Sequence, residues 1–585
     1  MLAPIVLFVY NRPWHTKQTL EALANNKLAY QSRLYIYADG PKKYAVSEEI
    51  EKTKEVEDLI NNGKWCKEQI VIKRTKNWGL AENIVDGVTT IVNRYGKVIV
   101  LEDDIIATPG FLTYMNEALE IYKNEPEVMH VSGYLPNISS NVPDTFFYNQ
   151  TSCWGWGTWK SSWENLNLDA GDLLDKIISS GSKFHFDLDG SYPFSQHLWF
   201  NQIGKMSTWA VKWHASVYLK NGFCLHPGKS LTVNIGNDGS GTNSGNVKAF
   251  ETQLHNKEVI VKKLPLEEDQ FVRRKIIEFN YKNGIYSTPD SPVTNKNNVK
   301  LVKKIKTSLI IKKYAGTLNL DVSKYFNSIP EIKIFECQDT GYQFYYPFHI
   351  SGDSKFYEHL EKFDWYYMPW KWEHEMTFSF LERGMKLLEV GAANGSFIEK
   401  ANNAGIESYG LELNQERVKV AQKNKIKIYA ESIEEHAKGN KNKYDVVCSF
   451  QVLEHIADVR TFINAQIDSL KVGGRLVISV PNNDSFLGRD FNILNTPPHH
   501  MGKWNEDSLK AIIRYFPIKL ERIYFEPLQD YHEEYFESVV KKVIHQKIKL
   551  PKSLISKFKF LFKLFTSKKF QAFTIQAVYV KNEVS

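Results

Sequence analysis

The sequence predicts an α/β protein of two domains, each built on a largely parallel sheet. In the first hundred residues, apolar runs of strand length alternate with segments of helical periodicity. Much later, KLLEVGAANGSFIEKANNAG (386–405) repeats the theme as a buried strand, a glycine-bearing turn and a helix. A chain of 585 residues is also too long for one core. Its 43% hydrophobic and 24% charged residues are ordinary for a globular protein and exclude bulk disorder. The five cysteines (66, 153, 224, 337 and 448) are scattered, odd in number and without a complete zinc spacing, which suits a reducing cytoplasm.

The elements of the first half follow in order. PIVLFVY is a strand, because its apolar run has no basic lead and is too short to span a bilayer. A helix follows from about Thr16 to Asn25, then the strand RLYIYA and a helix over 47–62. QIVIKR, a helix over 80–94 and KVIVLE complete the alternation. Such a series makes a parallel sheet covered on both faces, with ligands at the carboxyl ends of the strands. Three strand ends are polar: Tyr10-Asn11-Arg12, Ala38-Asp39-Gly40 and Glu102-Asp103-Asp104. Adjacent carboxylates repel one another and are costly to desolvate unless paired or metal-bound. A hard cation, Mn²⁺ or Mg²⁺, binds oxygen ligands and substrate phosphates, and Arg12 can pair with phosphate. Asp39 and Asp103 could accept hydrogen bonds from a base and a ribose.

Six motifs occur in order: VYNRP, YADGP, NWGLAENIVDGV, VLEDDIIATPGFLTYMNEAL, SCWGWGTWKSSW and LHPGKSLTVNIGNDGSG. On these, residues 1–287 resemble the GT-A glycosyltransferases, a Rossmann-like fold. In particular, they resemble a bacterial surface-polysaccharide group related to the Golgi N-acetylglucosaminyltransferase that initiates complex N-glycans. The resemblance implies that Asp104 ligates the metal and that Glu102 and Asp103 hold the nucleotide. Asp39 would then face the base, and Asn11 and Arg12 the diphosphate of a nucleotide-sugar donor. Family members carry an Asp before a Trp where this chain reads KMSTWAVKW, so Ser207 stands where the general base is expected. A hydroxyl is too weakly basic for that role unaided, which leaves Asp238 or Glu164 as the carboxylate, or an inactive domain. In CWGWGTWKSSW the four Trp are either core or a sugar-stacking wall.

Residues 288–329 read as a basic linker: Val299, Val302, Ile305 and Leu309 recur at helical spacing with Lys303, Lys304 and Lys306 between them. This predicts a solvated helix or one lying on an anionic membrane. KIFECQDTGYQFYYP (333–347) predicts two short strands. After the 386–405 unit come SYGLELN, KYDVVCSFQVLEHI and LKVGGRLVISVPN. This ordered set, in a domain spanning 330–585, resembles the class I S-adenosylmethionine-dependent methyltransferases, also Rossmann-like. The resemblance assigns Glu389, Gly391 and Gly395 to the methionine end of S-adenosyl-L-methionine, Glu412 to its ribose and the Glu431–Ser432 region to its adenine. Gln451 would lie on the methyl-transfer side. In NTPPHHMGKWN, either His499 or His500 could deprotonate a sugar hydroxyl, or both only shape a Pro-anchored lid.

Residues 541–569 contain ten Lys and no acid, interleaved with Phe558, Phe560, Phe562 and Phe565. No nucleic-acid motif accompanies them, so a lipid surface is the expected contact and nucleic acid is not. The expectation is a cytoplasmic enzyme, peripheral at the membrane, that extends and O-methylates a glycan or lipid-linked acceptor. A methyltransferase joined to an inactive sugar-binding half, or a membrane-bound scaffold, are the alternatives.

Overall fold

A computed structural model describes the chain except residues 139–140, 239–247, 255, 257, 287, 328, 364–365, 367, 486–491, 528, 530–572 and 584–585. It divides into two units, Met1–Ile285 and Tyr286–Ser585.

Among its described residues the first unit contains ten strands: β1 (Ile5–Val9), β2 (Arg33–Ala38), β3 (Glu68–Lys73), β4 (Lys97–Glu102), β5 (Ile105–Ala107), β6 (Val128–Ser132), β7 (Thr145–Tyr148), β8 (Trp156–Trp159), β9 (Phe223–Pro227) and β10 (Thr232–Asn234). Eight form one sheet in the order β3-β2-β1-β4-β8-β6-β9-β7, and β10 pairs with β5 separately. The half β3-β2-β1-β4 is parallel. Its strands are apolar on both faces because both are covered. Ile5, Leu7 and Val9 enter one core and Val6 and Phe8 the other. The connecting helices have recognisable ends. Pro13 opens the helix Pro13–Ala24, and Gly96, at φ +78°, closes Leu80–Tyr95 in the left-handed region. Register sets Val9 beside Ala38 and Phe8 beside Glu102. The three polar strand ends therefore share one edge.

Among its described residues the second unit has eleven strands: β11 (Val299–Lys306), β12 (Glu331–Cys337), β13 (Gln343–Tyr346), β14 (Lys386–Val390), β15 (Glu407–Leu411), β16 (Ile428–Tyr429), β17 (Tyr444–Phe450), β18 (Leu470–Pro481), β19 (Gly502–Lys503), β20 (Ile518–Phe525) and β21 (Thr574–Lys581). Seven make the sheet β16-β15-β14-β17-β18-β21-β20. From β16 to β18 it is parallel, and β21 runs antiparallel to both its neighbours. The other sheet is β11-β12-β13-β19.

The predicted linker helix is corrected here. Val299–Lys306 is an edge strand paired antiparallel with β12, and a bulge between Leu301 and Lys303 breaks its alternation. Of the apolar residues spaced by three, only Ile305 is buried and Val302 is exposed, so the spacing marks no common face. Lys300, Lys303, Lys304 and Lys306 lie on an unpaired strand edge, where charge discourages further pairing. Helix follows only at Thr307–Leu318, which buries Ile310, Tyr314 and Leu318 in the core with Ile305 and Val322. The basic Lys/Phe segment 541–569 lies outside the described residues.

A consequence can be tested by truncation. A fragment 286–585 is expected to melt cooperatively, whereas 325–585 lacks Ile305, Ile310, Tyr314, Leu318 and Val322. At about 1.5–3 kcal/mol per buried side chain, the shorter piece loses about as much as a typical domain's whole margin and is expected not to fold. Equal circular-dichroism melts for the two fragments would contradict this.

Candidate active sites

At the first edge, β1 runs into Arg12 and β4 into Asp103 and Asp104. Arg12 Nη1 donates to Asp104 Oδ2 at 2.8 Å and to Asp103 Oδ1 at 3.3 Å. Asp238 approaches from beyond β10: its Oδ1 is 4.0 Å from Arg12 Nη2, and its Oδ2 is 3.1 Å from His15 Nε2. Asn234 Nδ2 donates to Asp104 Oδ1 at 3.4 Å. The loop after β10 closes on the pair so tightly that a Cβ on Gly236 would lie 2.1 Å from Asp104 Oδ2. Burial, then Asp104, raises the Asp103 carboxyl above the usual range. Burial, then Asp104 and Asp103, raises Glu102 well above it. One guanidinium thus faces four carboxylates, and its Nε and Nη2 have no hydrogen-bond partner. The adjacent Asp103 and Asp104, held by one guanidinium, form the polar centre of this edge.

Asp39 sits at this edge, but the loop 77–79 occupies it. It accepts from the Trp78 N–H at 2.8 Å, the Gly79 N–H at 3.0 Å and Asn77 Nδ2 at 3.0 Å. Asn11 Nδ2 donates to Glu49 Oε1 at 3.4 Å, as does Tyr10 Oη at 2.9 Å. His15, on the first helix, was not singled out from sequence; only the fold pairs it with Asp238. In the Trp segment the core reading holds for three of the four. Trp156 and Trp163 pack with Trp209 and Trp213 in the core, and Trp159 is buried in the other core. Trp154 lines a cavity of about 240 Å³ with Tyr134, Tyr192, Phe250 and Thr208. Tyr148 Oη, Thr151 Oγ1 and His214 Nε2 also belong to residues lining it and lack partners. Ser207 itself is exposed.

At the carboxyl end of β14 in the second unit, the chain turns through Gly391 (φ +79°), Ala393 (φ +48°) and Gly395 (φ +81°). A Cβ on Gly391 would lie 2.6 Å from Val452 Cγ2, so the turn leaves no room for a side chain there. Glu412, at the end of β15, accepts from the Ala393 N–H at 3.0 Å and the Asn414 N–H at 2.9 Å. Glu389 is buried and its Oε2 has no partner. Burial, then Glu412, pushes its carboxyl up to about 8. A buried acid with an open oxygen beside a cradle that excludes side chains fits a bound cationic ligand. Gln451 takes φ +55° and donates to Glu373 Oε1 at 3.3 Å and Thr574 Oγ1 at 3.4 Å. Ser432 caps the helix Ile433–Gly439, accepting from the Glu435 N–H at 3.2 Å.

After Gln451 the chain brings Glu454 and His455 against His499 and His500. Glu454, His499 and His500 are buried, with Glu454 1% exposed, and His455 is half-buried. His499 Nδ1 donates to the Leu494 carbonyl at 2.7 Å, and its Nε2 meets Tyr366 Oη at 2.7 Å. His500 Nδ1 meets Asn495 Oδ1 at 3.2 Å. Burial and the neighbouring imidazoles hold His499 and His500 well below the ordinary histidine range, so both are neutral.

The family profile described as a methyltransferase domain matches residues 365–525. The ubiquinone biosynthesis O-methyltransferases of Salmonella arizonae and Salmonella newport are each 30% identical over 107 residues, 17% of this chain and 44% of theirs. The chain thus spans less than half the length of these curated relatives. A SAM-dependent methyltransferase from Archaeoglobus fulgidus aligns at 18% identity, covering 35% of this chain and 90% of its own, with a TM-score of 0.26. Haemonchus contortus phosphoethanolamine N-methyltransferase 2, solved with S-adenosyl-L-methionine, aligns at 16% identity, covering 36% of this chain and 53% of its own, with a TM-score of 0.25.

Proposed function

We propose, with residues 365–525 a methyltransferase domain, that the protein is a bifunctional enzyme of glycan biosynthesis. One unit methylates a sugar hydroxyl from S-adenosylmethionine, and the other transfers a sugar from a nucleoside-diphosphate donor with Mn²⁺ or Mg²⁺. The observation that carries the first activity is the open Glu389 oxygen beside the turn that Glu412 holds. S-adenosylmethionine supplies an electrophilic methyl group on its sulfonium. Glu389 binds the methionine ammonium, Glu412 takes the ribose hydroxyls, and the Glu431–Ser432 region borders the adenine. His500, with Nδ1 tied to Asn495, offers Nε2 to the acceptor's proton; Tyr366 already engages His499 Nε2.

In the first unit, Asp104 would hold the metal and Arg12 the diphosphate through its unpartnered N–H groups. The aromatic cavity around Trp154 suits the apolar face of a sugar ring. Asp238, hydrogen-bonded to His15, is the carboxylate nearest to Arg12 from the NIGNDGSG loop. A second reading, a methyltransferase joined to a sugar-binding module, is favoured by Ser207, an exposed hydroxyl where an acid is expected. The acceptor would be a glycan or lipid-linked oligosaccharide, met at the membrane surface by the Lys/Phe segment. No helix among the described residues is long and apolar enough to cross a membrane.

Asp104→Asn is expected to abolish Mn²⁺-dependent binding of a nucleoside diphosphate, read by calorimetry, while S-adenosylmethionine binding persists. Unchanged nucleotide affinity, with or without EDTA, would sink the sugar-transfer half. Failure of the natural protein to bind S-adenosylmethionine would sink the other.

A further inference from the structure

We infer that His455, His499, His500 and Glu454 form a site for a transition-metal dication, Zn²⁺ by ligand type. One ring nitrogen from each histidine lies within 4.8 Å of the others. Their tautomers are set alike. His455 Nδ1 donates to the His499 carbonyl at 2.7 Å, His499 Nδ1 to the Leu494 carbonyl at 2.7 Å, and His500 Nδ1 meets Asn495 Oδ1 at 3.2 Å. Each Nδ1 proton is thereby fixed on an oxygen, and each Nε2 is left with its lone pair. This is how metal-binding imidazoles are oriented, with the remote nitrogen anchored and the other directed at the ion.

Glu454 supplies an independent observation. Its Oε1 is 4.0 Å from His455 Nε2 and 4.0 Å from His500 Nε2, and its Oε2 has no hydrogen-bond partner. A buried carboxylate with an unpartnered oxygen beside neutral imidazoles gathers one oxygen and three nitrogen donors around a single point, the donor set a dication would take up. Three imidazoles with one carboxylate select Zn²⁺ or a neighbour in its series over Mg²⁺ or Ca²⁺, which prefer all-oxygen sets. Tyr366 Oη, now on His499 Nε2, gives way when the third imidazole binds.

The site's chemical role rests on the methyl-transfer reading above. The ion would bind the acceptor's oxygen as a Lewis acid and lower its pKa. The hydroxyl proton would pass to water, and the metal-held oxygen would then form the new bond to the methyl carbon as the sulfonium–carbon bond breaks. With the ion bound, His500 Nε2 would be a ligand, and this replaces the proton-acceptor role given to it above, which belongs to the metal-free protein.

The experiment uses the full-length protein, stripped with EDTA and titrated with Co²⁺ as a spectroscopic stand-in for Zn²⁺. One equivalent is expected to develop intense visible d–d bands of low-coordinate nitrogen and oxygen ligation, and Zn²⁺ should bleach them. His500→Gln and His455→Gln should each weaken Co²⁺ binding at least 100-fold. Asn495→Ala, which only releases the anchor, should weaken it about 10–100-fold. Tyr366→Phe should bind at least as tightly as the natural protein. S-adenosylmethionine affinity and the thermal melt of each sample report folding separately. A folded protein that takes up no Co²⁺, or histidine variants that bind it as tightly as the natural chain, would overturn the site. Metal binding without S-adenosylmethionine binding would retain the site and discard its catalytic role.

Discussion

Glu389→Gln is expected to weaken S-adenosylmethionine binding by about 3 kcal/mol, roughly 100-fold, and to stabilise the free domain at the same time. The two effects share one cause. Glu389 is buried beside Glu412, and its carboxyl titrates at about 8. A cationic ammonium needs the carboxylate, and a desolvated charged contact is worth about 2–5 kcal/mol. Below pH 8 the free protein holds this group protonated, so binding releases a proton. Natural affinity should therefore rise nearly tenfold per pH unit up to about 8 and then level off. The affinity of the glutamine variant should show no such slope. Stability has the opposite sign. The folded carboxyl is raised above its unfolded value near 4.5, so the unfolded chain binds fewer protons between the two values. Folded stability then falls as pH rises through that window. Glutamine removes this term, and the gap in melting temperature between variant and natural protein should widen from pH 5 to pH 8. Calorimetric titration and thermal melts across that range check both. A pH-independent gap would remove the assignment.

Arg12→Met should cost the first unit about 3–5 kcal/mol at neutral pH, because it leaves buried carboxylates without their cation. The loss should shrink as pH falls, since Glu102 and Asp103 are both held above the ordinary range and take up protons early. Mn²⁺ should rescue the variant more than the natural protein. At a concentration about 100-fold above its dissociation constant, an ion that binds only the folded state returns about 2.7 kcal/mol. The measurement is a urea titration at two pH values, with and without Mn²⁺. A variant as stable as the natural protein would mean that the acidic edge is better solvated than its geometry shows.

Strand–helix alternation is readable in the sequence because buried parallel strands are apolar on both faces. Ile5–Val9, Arg33–Ala38 and Lys97–Glu102 could hardly be anything else. The Gly391–Gly395 turn was legible for a similar reason, as glycines between a strand and a helix have few other uses. Val299–Lys306 was not, because it is an edge strand that buries only Ile305, so its apolar residues follow no strand period. Partnerships across long separations were beyond reach too. His15 meets Asp238 across 223 residues, and His455 meets the His499 carbonyl across 44. Asp39 shows the converse limit. A carboxylate at the right edge reads as a ligand contact, and only the backbone path of residues 77–79 reveals what already occupies it.

The place of β21 between β18 and β20 has a consequence for synthesis on the ribosome. Both neighbours are translated first, yet neither pairs with the other, and the slot between them stays open until Lys581 has emerged. From Phe525 that is 56 residues, about 3–11 s at ordinary elongation rates. Throughout that interval the nascent chain presents two unsatisfied strand edges and the apolar residues that Ile575, Ala577 and Tyr579 later cover. The second unit thus completes its main sheet only after β21 has been made. Its yield in a cell should depend on chaperone capacity more than on the speed at which its earlier strands assemble.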